Sequence, residues 1–527
     1  MTAMIKTNYI SKVGLTFLLS LLILNGFAGS TLYNVRDYGA TGEKKDKATV
    51  AIQKAIDAAN KSGGGVVVIP RGEYLSLPIK LYSNITLQLD AGAVLYADLA
   101  NPDFKGQSLI NAERAHNITI KGKGMVDGQA SHVYEDVRGE EPAIKEEMDL
   151  ARAAGVEMKR YYRSGKGAFN LFVKECDDLT IEDVTFANSS LWCMRIWGSN
   201  RINIRGVNVF SSLEKGVNSD GIDIDGSRNV HISGCTISAG DDAIVIKTGT
   251  MKWDGQMKTN TAENIIVDNC VLSSSSAGLK LGTESYGDMH HIVFSNCVIR
   301  NSNKGIEINV QDGANVSDII FSNLTMDLKR RHWNWWGDAQ VFNFLLKKRN
   351  DSSKVGSIKN ILVNNVIAHA QGTSRIISNV EQPIQNFTIS NLKLFMEAES
   401  TPDKRTSNAM YFLNVQQLKL KNIEIYWGED KKEPKWKSAL VMENVKGFEL
   451  QGIEARQAFD RTDEPAISLY NCMNGTVFNC IAQTGTGTFI KVTGAQTANL
   501  VFGKNFTTNA ITPMEISAEV KKQMVSF

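Results

Sequence analysis

Residues 264–270 read NIIVDNC, residues 291–297 read HIVFSNC and residues 318–324 read DIIFSNL, so one short pattern occurs three times at a spacing of 27 residues. In each copy a polar residue precedes a β-branched run of strand length. Asn follows at a corner position, where it tolerates left-handed backbone angles. Units of this length without helical periodicity predict a β-solenoid in which each unit forms one coil.

Further copies of the pattern share an apolar residue five places after their first apolar residue. These residues are Val184, Cys235, Cys270, Cys297, Leu324, Val366, Leu392, Ile423 and Ile453. A position filled interchangeably by Cys, Val, Leu and Ile is a core position. The three cysteines are therefore predicted to be buried thiols without a redox or metal role, and no metal or other cofactor is expected.

Residues 1–28 are predicted to be a cleaved secretion signal. They carry Lys6 and Lys12, then an apolar run over residues 15–24, and they end in small residues. A transmembrane anchor needs about 20 apolar residues, and this run is shorter. The sequence thus predicts an exported protein, periplasmic or extracellular, with no membrane span after signal cleavage.

The rest of the chain is predicted to form one elongated unit. Its parts are an N-terminal cap with the first coils at 29–110, a parallel β-helix catalytic domain at 111–514 with an insertion at 129–168, and a C-terminal tail at 515–527 that covers the last coil. A solenoid needs such covers because its end coils offer free strand edges.

The N-terminal cap is predicted to be a helix. Asp46 is a candidate N-cap, apolar residues between Ile52 and Ala59 follow helical spacing, and the glycines at 63–65 end the helix before a strand at 66–69. Residues 140–160 of the insertion are also helix-prone and are expected to lie beside the barrel.

The charge balance gives no indication of a nucleic-acid partner, and none is expected. The chain has 58 Lys and Arg against 56 Asp and Glu, and removal of Lys6 and Lys12 with the signal leaves 56 of each. A nucleic-acid-binding surface would require a basic excess or patch. A monomer is expected.

Two segments carry a dense set of carboxylates. Residues 218–225 read NSDGIDID and residues 240–247 read GDDAIVIK, so Asp220 and Asp241 are 21 residues apart, close to one coil. Stacked coils bring equivalent residues to about 4.8 Å, which would place Asp220 beside Asp241 and Asp242. Crowded carboxylates repel, and at least one should keep its proton near neutral pH.

A protonated acid beside an ionised base is what hydrolysis of a glycosidic bond requires. Carboxylates on neighbouring coils with a water between them suit inversion, for which the separation is about 6.5 to 9.5 Å. The alternatives are that the aspartates are polar ladder or corner residues, or a calcium site. Asp223 and Asp225 are assigned mainly to such a ladder.

The chain resembles the polygalacturonase family, glycoside hydrolase family 28. The resemblance extends from YNVRDYGA at 33–40 through GKGMVDG at 122–128 and the two acidic segments to the C-terminal tail. It implies an all-β, single-stranded, right-handed parallel β-helix of the pectin lyase-like type with an N-terminal capping helix. It also implies a general acid at Asp241, activation of water by Asp220 and Asp242, and a positioning role for Asn218.

Two motifs depart from the family pattern. Residues 276–282 read SAGLKLG where the family has Gly-His-Gly, and residues 307–309 read EIN where it has Arg-Ile-Lys. The resemblance assigns the missing cations to galacturonate binding, and Glu307 would repel a uronate. Lys247 or Lys280 would either compensate or pair with the aspartates.

The remaining substrate-binding candidates are Glu284 and Glu307, for hydroxyls of neutral sugars, and Trp336, for stacking on a sugar face. Trp192, Trp197, Trp333 and Trp335 are further stacking candidates. The predicted function is inverting hydrolysis of a pectic polysaccharide or oligosaccharide, either galacturonan or a rhamnogalacturonan-type chain. A polysaccharide lyase on the same fold and a non-catalytic carbohydrate-binding β-helix are the alternatives.

Overall fold

The structure is a computed structural model. It describes residues 31–99, 101–104, 108–137, 149, 152–153, 155, 161–164, 167–330, 337–399, 406–460, 462–520 and 525–526. The predicted signal at 1–28 and Trp336 lie outside these residues, as does most of the helix-prone segment at 140–160.

The chain forms a right-handed parallel β-helix, which confirms the predicted fold class. Ile265, Ile292 and Ile319 occupy one register position on three successive coils, as the 27-residue spacing predicts. Their side chains point into the barrel, and the next residue in each strand, Ile266, Val293 or Ile320, faces outward.

Two long parallel sheets make up the barrel in the part of the chain that the structure describes. Sheet 1 contains 26 strands: Leu32–Asn34, Gly65–Ile69, Gly72–Ser76, Ile85–Leu89, Ala93–Ala97, His116–Gly122, Met125–Asp127, Asp177–Glu182, Thr185–Ala187, Asn200–Arg205, Asn208–Phe210, Arg228–Ser233, Thr236–Ala239, Ala262–Asp268, Val271–Ser274, Met289–Ser295, Val298–Ser302, Asn315–Leu328, Ser357–Ala370, Ile384–Met396, Val415–Trp427, Lys446–Ala455, Met473–Phe478, Ile481–Ala482, Ala498–Gly503 and Val525–Ser526.

Sheet 2 contains 15 strands: Ile79–Leu81, Ser108–Glu113, Phe169–Lys174, Met194–Trp197, Ile222–Asp225, Ile244–Thr248, Ala277–Ser285, Lys304–Val310, Gln340–Leu346, Ser374–Ser378, Met410–Leu413, Leu440–Glu443, Pro465–Tyr470, Thr486–Thr493 and Ala510–Ile516. Both acidic segments enter this sheet, so its outer face positions the candidate site. Among the described residues, two antiparallel hairpins lie outside the barrel sheets, Tyr134–Val137 with Tyr161–Ser164 and Met251–Trp253 with Gln256–Lys258.

Asparagines make the corners, as the sequence pattern predicts. Asn296, Asn323, Asn365, Asn391 and Asn422 all have positive φ angles between 53° and 56°. Each side-chain amide donates to the amide oxygen of the preceding asparagine in the series at 3.0 to 3.1 Å. This ladder satisfies polar groups at the corners and fixes the register of successive coils.

The core runs along the barrel axis. Phe294 stacks on Phe321 with ring centroids 4.9 Å apart, and Phe344 meets Phe387 at 5.4 Å. All nine residues of the repeated apolar position are buried. Cys235, Cys270 and Cys297 are therefore buried free thiols, which confirms their predicted place in the core.

The N-terminal cap is the α-helix Thr49–Lys61, and it packs on the first strands through Ile52, Ala55 and Ile56. Two short 3-10 helices, Val35–Tyr38 and Ala130–His132, lie before and after it in the chain. The predicted Asp46 cap is wrong. The helix begins at Thr49, so the N-cap is Ala48, whose side chain has no hydrogen-bond acceptor.

The described parts of the C-terminal tail contain strands. Ala510–Ile516 is the last strand of sheet 2, and Val525–Ser526 pairs in parallel with Ala498–Gly503 in sheet 1. These parts of the tail extend the coil because their apolar residues continue the strand pattern. No helix among the residues described here is long and apolar enough to cross a membrane.

Candidate active site

The strand register of sheet 2 brings the two acidic segments together. Ile222 pairs with Ile244, so the residues that precede these strands also lie side by side. The Gly221 amide donates to the Asp242 carbonyl at 2.8 Å, which places Asp220 next to Asp242 on adjacent coils. The sequence predicted this juxtaposition from the 21-residue spacing.

Glycine is required before the acidic pair because the backbone there is crowded. A Cβ on Gly240 would lie 2.2 Å from the Gly216 carbonyl oxygen and 2.5 Å from that of Ser212. Both atoms belong to backbone, which cannot move aside as a flexible side chain can. The chain 212–216 therefore packs directly against the turn that carries Asp241 and Asp242.

Lys247 binds the first carboxylate. Its ammonium lies 2.9 Å from Asp220 Oδ2, 2.8 Å from Asp223 Oδ1 and 3.8 Å from Glu284 Oε2. The Trp192 ring covers the ammonium, with the ring centroid 3.5 Å from Nζ. Lys247 is buried, and its three carboxylate neighbours keep its pKa well above the ordinary value despite that burial.

Lys280, on the next coil, binds the second carboxylate. Its Nζ lies 2.8 Å from Asp242 Oδ2 and 3.4 Å from Glu307 Oε2. The other oxygen, Asp242 Oδ1, accepts from the Ala277 amide at 3.2 Å. Burial would lower the pKa of Lys280, but Asp242 and Glu307 raise it above its ordinary value, so this lysine is also a fixed positive charge.

Asp241 differs from Asp220 and Asp242 because its carboxyl group contacts no lysine. Within the described part of the chain its carboxylate makes no hydrogen bond or ion pair. Burial is the main cause that raises its pKa well above the ordinary value, and the charges of Asp220 and Asp242 raise it further. Burial also raises the pKa of Asp220 above its ordinary value, and Lys247 offsets this only in part. The trio of Asp220, Asp241 and Asp242 therefore contains one carboxyl group without a cation and two that contact a lysine.

Glu307 is held in its ionised form. Lys304 Nζ lies 2.6 Å from Glu307 Oε2, and the Asn343 amide donates to Glu307 Oε1 at 2.8 Å. Burial would raise the pKa of Glu307, but Lys280 and Lys304 outweigh it and hold the pKa at about 2. At the position where the family pattern has a cation, this chain therefore has a permanent negative charge.

The structure brings seven of the predicted site residues into one cluster on the outer face of sheet 2: Asp220, Asp241, Asp242, Lys247, Lys280, Glu284 and Glu307. Asn218 is half-buried two residues before Asp220 and has a left-handed φ of 64°. Asn309 is buried at the far end of its strand. No group of His, Cys, Asp and Glu side chains suited to hold a metal occurs among the residues that the structure describes.

The structure also adds and removes candidates. Asp223, assigned to a ladder from the sequence, is fully buried and shares Lys247 with Asp220. Trp197 cannot stack on a sugar because none of its surface is exposed, and it packs with Phe169 and Phe172 outside the barrel. Trp192 keeps part of its ring exposed beside Lys247.

Sequence reasoning missed Lys304 and Asn343, although their positions carry a signal. Lys280, Glu307 and Asn343 share one outward register position on three successive coils, so charges of opposite sign meet across the coils. Oppositely charged residues at one register position can be recognised in the sequence once the strand register is known.

Comparison with known proteins agrees with the fold. Residues 64–409 match the family model described as "Glycosyl hydrolases family 28". A "Probable polygalacturonase" from Vitis vinifera is 25% identical over 258 residues, which are 48% of this chain and 51% of the relative. The chain spans about half the length of the curated relatives that it matches.

Two solved structures share the architecture. The hyperthermoactive exopolygalacturonase from Thermotoga maritima has a TM-score of 0.60 at 21% identity and covers 78% of this chain and 96% of its own. The family 28 exopolygalacturonase from Yersinia enterocolitica has a TM-score of 0.51 at 19% identity and covers 81% and 79%. At these identities the likeness concerns the fold alone.

Proposed function

The chain belongs to glycosyl hydrolases family 28, and from this premise we propose that it hydrolyses a glycosidic bond of a pectic polysaccharide with inversion at the anomeric carbon. Asp241 is the general acid, and Asp220 and Asp242 activate the water. The substrate is a galacturonan or a rhamnogalacturonan-type chain, and Asn218 helps to orient it. The protein acts as an exported monomer.

One observation carries this proposal: one carboxyl group of the trio has no cation, and the other two each contact a lysine. A raised pKa favours a proton on Asp241, and the lysines in contact with Asp220 and Asp242 favour negative charge at those two groups. Hydrolysis needs this combination, an acid for the leaving oxygen and a base for the water.

The reaction follows from these roles. Asp241 donates its proton to the glycosidic oxygen as the bond between that oxygen and the anomeric carbon breaks. Water attacks the opposite face of the same carbon, and Asp220 with Asp242 accepts the proton that the water loses. The products are two shorter sugar chains. Asp241 has then lost a proton and the base has gained one, and proton exchange with solvent restores the starting state.

The stereochemical course is tested by proton NMR of the first product formed from an α-linked pectic oligosaccharide. We expect the β-anomer to appear first and the α-anomer to follow by mutarotation, because a single displacement inverts the anomeric carbon. Initial release of the α-anomer would contradict inversion. An unsaturated product absorbing in the ultraviolet would indicate a lyase, and binding without new reducing ends would indicate a carbohydrate-binding protein.

The charge at the site bears on the choice of sugar. The three lysines nearest the trio, Lys247, Lys280 and Lys304, all lie within 3 Å of a protein carboxylate, and Glu307 is ionised. Like charges brought together in a binding site oppose association. The proposal is therefore that a neutral or esterified sugar is preferred at this position over a free uronate.

Methyl-esterified and free-acid galacturonan oligomers of equal length provide the test. We expect kcat/KM to be higher on the ester, and Glu307→Gln to reduce that preference by about tenfold, which corresponds to about 1.4 kcal/mol. Glu515→Gln is the matched control, because Glu515 pairs with Lys491 on a distant coil of the same sheet. Equal preference in the wild type and Glu307→Gln would show that Glu307 does not select the sugar.

A further inference from the structure

The two buried lysines contact two of the three carboxylates, Asp220 and Asp242, and leave Asp241 without a lysine. Lys247 contacts Asp220 at 2.9 Å and Lys280 contacts Asp242 at 2.8 Å, and neither ammonium is within 4.0 Å of an Asp241 oxygen. Both lysine side chains are more than nine-tenths buried. A buried ammonium is costly unless it is paired, so these contacts hold each lysine in one place.

Each lysine is balanced by a second carboxylate that lies outside the trio. Asp223 lies 2.8 Å from Lys247, and Glu307 lies 3.4 Å from Lys280. Burial raises the pKa of Asp223 well above its ordinary value and raises that of Asp220 as well, so the two carboxyl groups share the charge of Lys247. Glu307 competes weakly for Lys280, because Lys304 and Asn343 already satisfy it.

We propose that Lys247 and Lys280 are positioning residues that assign the chemical roles within the trio. Each ammonium keeps the carboxylate that it touches ionised and aligned as a base, and Asp241, which has no cation, keeps the proton that the leaving group needs. The inference rests on the proposed hydrolysis and goes beyond it, because it gives these lysines no contact with the sugar.

The charged groups that face the trio come from four consecutive strands. Asp223 lies on Ile222–Asp225, Lys247 on Ile244–Thr248, Lys280 and Glu284 on Ala277–Ser285, and Lys304 and Glu307 on Lys304–Val310. Glu284 is 3.8 Å from Lys247 and is partly exposed, which makes it the weakest of these partners. The two lysines are thus the charges in direct contact with the bases.

Lys280→Met and Lys247→Met test the proposal through the pH dependence of kcat/KM. Loss of an ammonium raises the pKa of the base that it touched, so the acidic limb should move to higher pH by about one unit or more. The alkaline limb should also move up, because both lysines lower the pKa of Asp241. Lys491→Met, which removes a lysine paired with Glu515 at 2.9 Å on the same sheet, should shift neither limb.

A second readout does not require activity. Lys280→Met leaves Asp242 buried without the lysine that it contacts. A buried carboxyl group without a cation favours its neutral form, so the folded variant should bind more protons than the unfolded chain. The stability that this extra proton gives to the variant is fully present below the pKa that the group has in the unfolded chain. It is lost as pH rises through the pKa that the group has in the folded protein. The difference in Tm between wild type and Lys280→Met should therefore widen between about pH 4 and pH 7, while Lys491→Met shows a constant difference.

The outcomes separate the inference from the proposed function. A wild type without hydrolytic activity on pectic oligosaccharides ends the proposed function, and the stability series still tests the lysines. An active wild type whose lysine variants lose kcat without any movement of either limb, and without a pH-dependent Tm difference, overturns the inference. A lysine variant that folds at acidic pH but not at neutral pH supports it.

Discussion

Asp241→Asn is expected to lower kcat on a pectic oligosaccharide by about two to four orders of magnitude, the usual contribution of a general acid. The amide has the shape of the carboxyl group but cannot donate a proton of suitable pKa to the glycosidic oxygen. Release of reducing ends, measured at substrate saturation, gives kcat directly. Asp430→Asn, which changes an exposed aspartate, is the control and should keep full activity.

The same variant should be at least as stable as the wild type at neutral pH. Asp241 has a raised pKa in the folded state, so the stability that it contributes is present below its unfolded pKa and is lost as pH rises through its folded pKa. Asn removes that dependence. Tm measured at pH 7 should therefore stay level or rise. An active Asp241→Asn protein would refute the assigned acid, and an unfolded one would make Asp241 a structural residue.

Gly240→Ala is expected to reduce kcat by about a hundredfold although it leaves every acidic group in place. The added methyl group would lie 2.2 Å from the Gly216 carbonyl oxygen, so the turn must move away from its neighbour on the previous coil. A displacement of about 1 Å at reacting groups costs about a hundredfold in rate. The Tm should fall as well, because two backbone segments can no longer pack in contact.

Gly167→Ala is the matched control for this effect. Its Cβ would meet nothing closer than a Leu191 methyl carbon at 3.4 Å, an ordinary contact, so kcat and Tm should change little. Full activity in Gly240→Ala would show that the turn tolerates displacement. The close backbone approach would then have no bearing on how Asp241 and Asp242 are held.

The repeat could be predicted from the sequence because it depends on local patterns. The spacing of Ile265, Ile292 and Ile319 gives the coil length, and the interchange of Cys with Val, Leu and Ile identifies a core position. The proximity of Asp220 to the following acidic pair needed only the length of one coil. These predictions use strand alternation and stacking, which hold for any parallel solenoid.

The sequence left open whether Lys247 and Lys280 pair with the aspartates, because the answer depends on the length of an irregular segment. Val245 pairs with Lys280 across 35 residues, and the hairpin Met251–Trp253 with Gln256–Lys258 accounts for the added length. Only the register shows that Lys280 stands over Asp242. Burial of Trp197 was missed for a related reason, since the aromatic cluster that covers it lies outside the repeat.

The asparagine ladder has a consequence for how such a chain can change its length. One residue inserted within Ile384–Met396 would turn the side chains that follow to the opposite face of the strand and would break the contact between Asn391 and Asn422. A complete turn of about 27 residues would restore both. The chain can thus gain or lose length in whole turns, and turns added beyond residue 357 would leave Asp220, Asp241 and Asp242 in place.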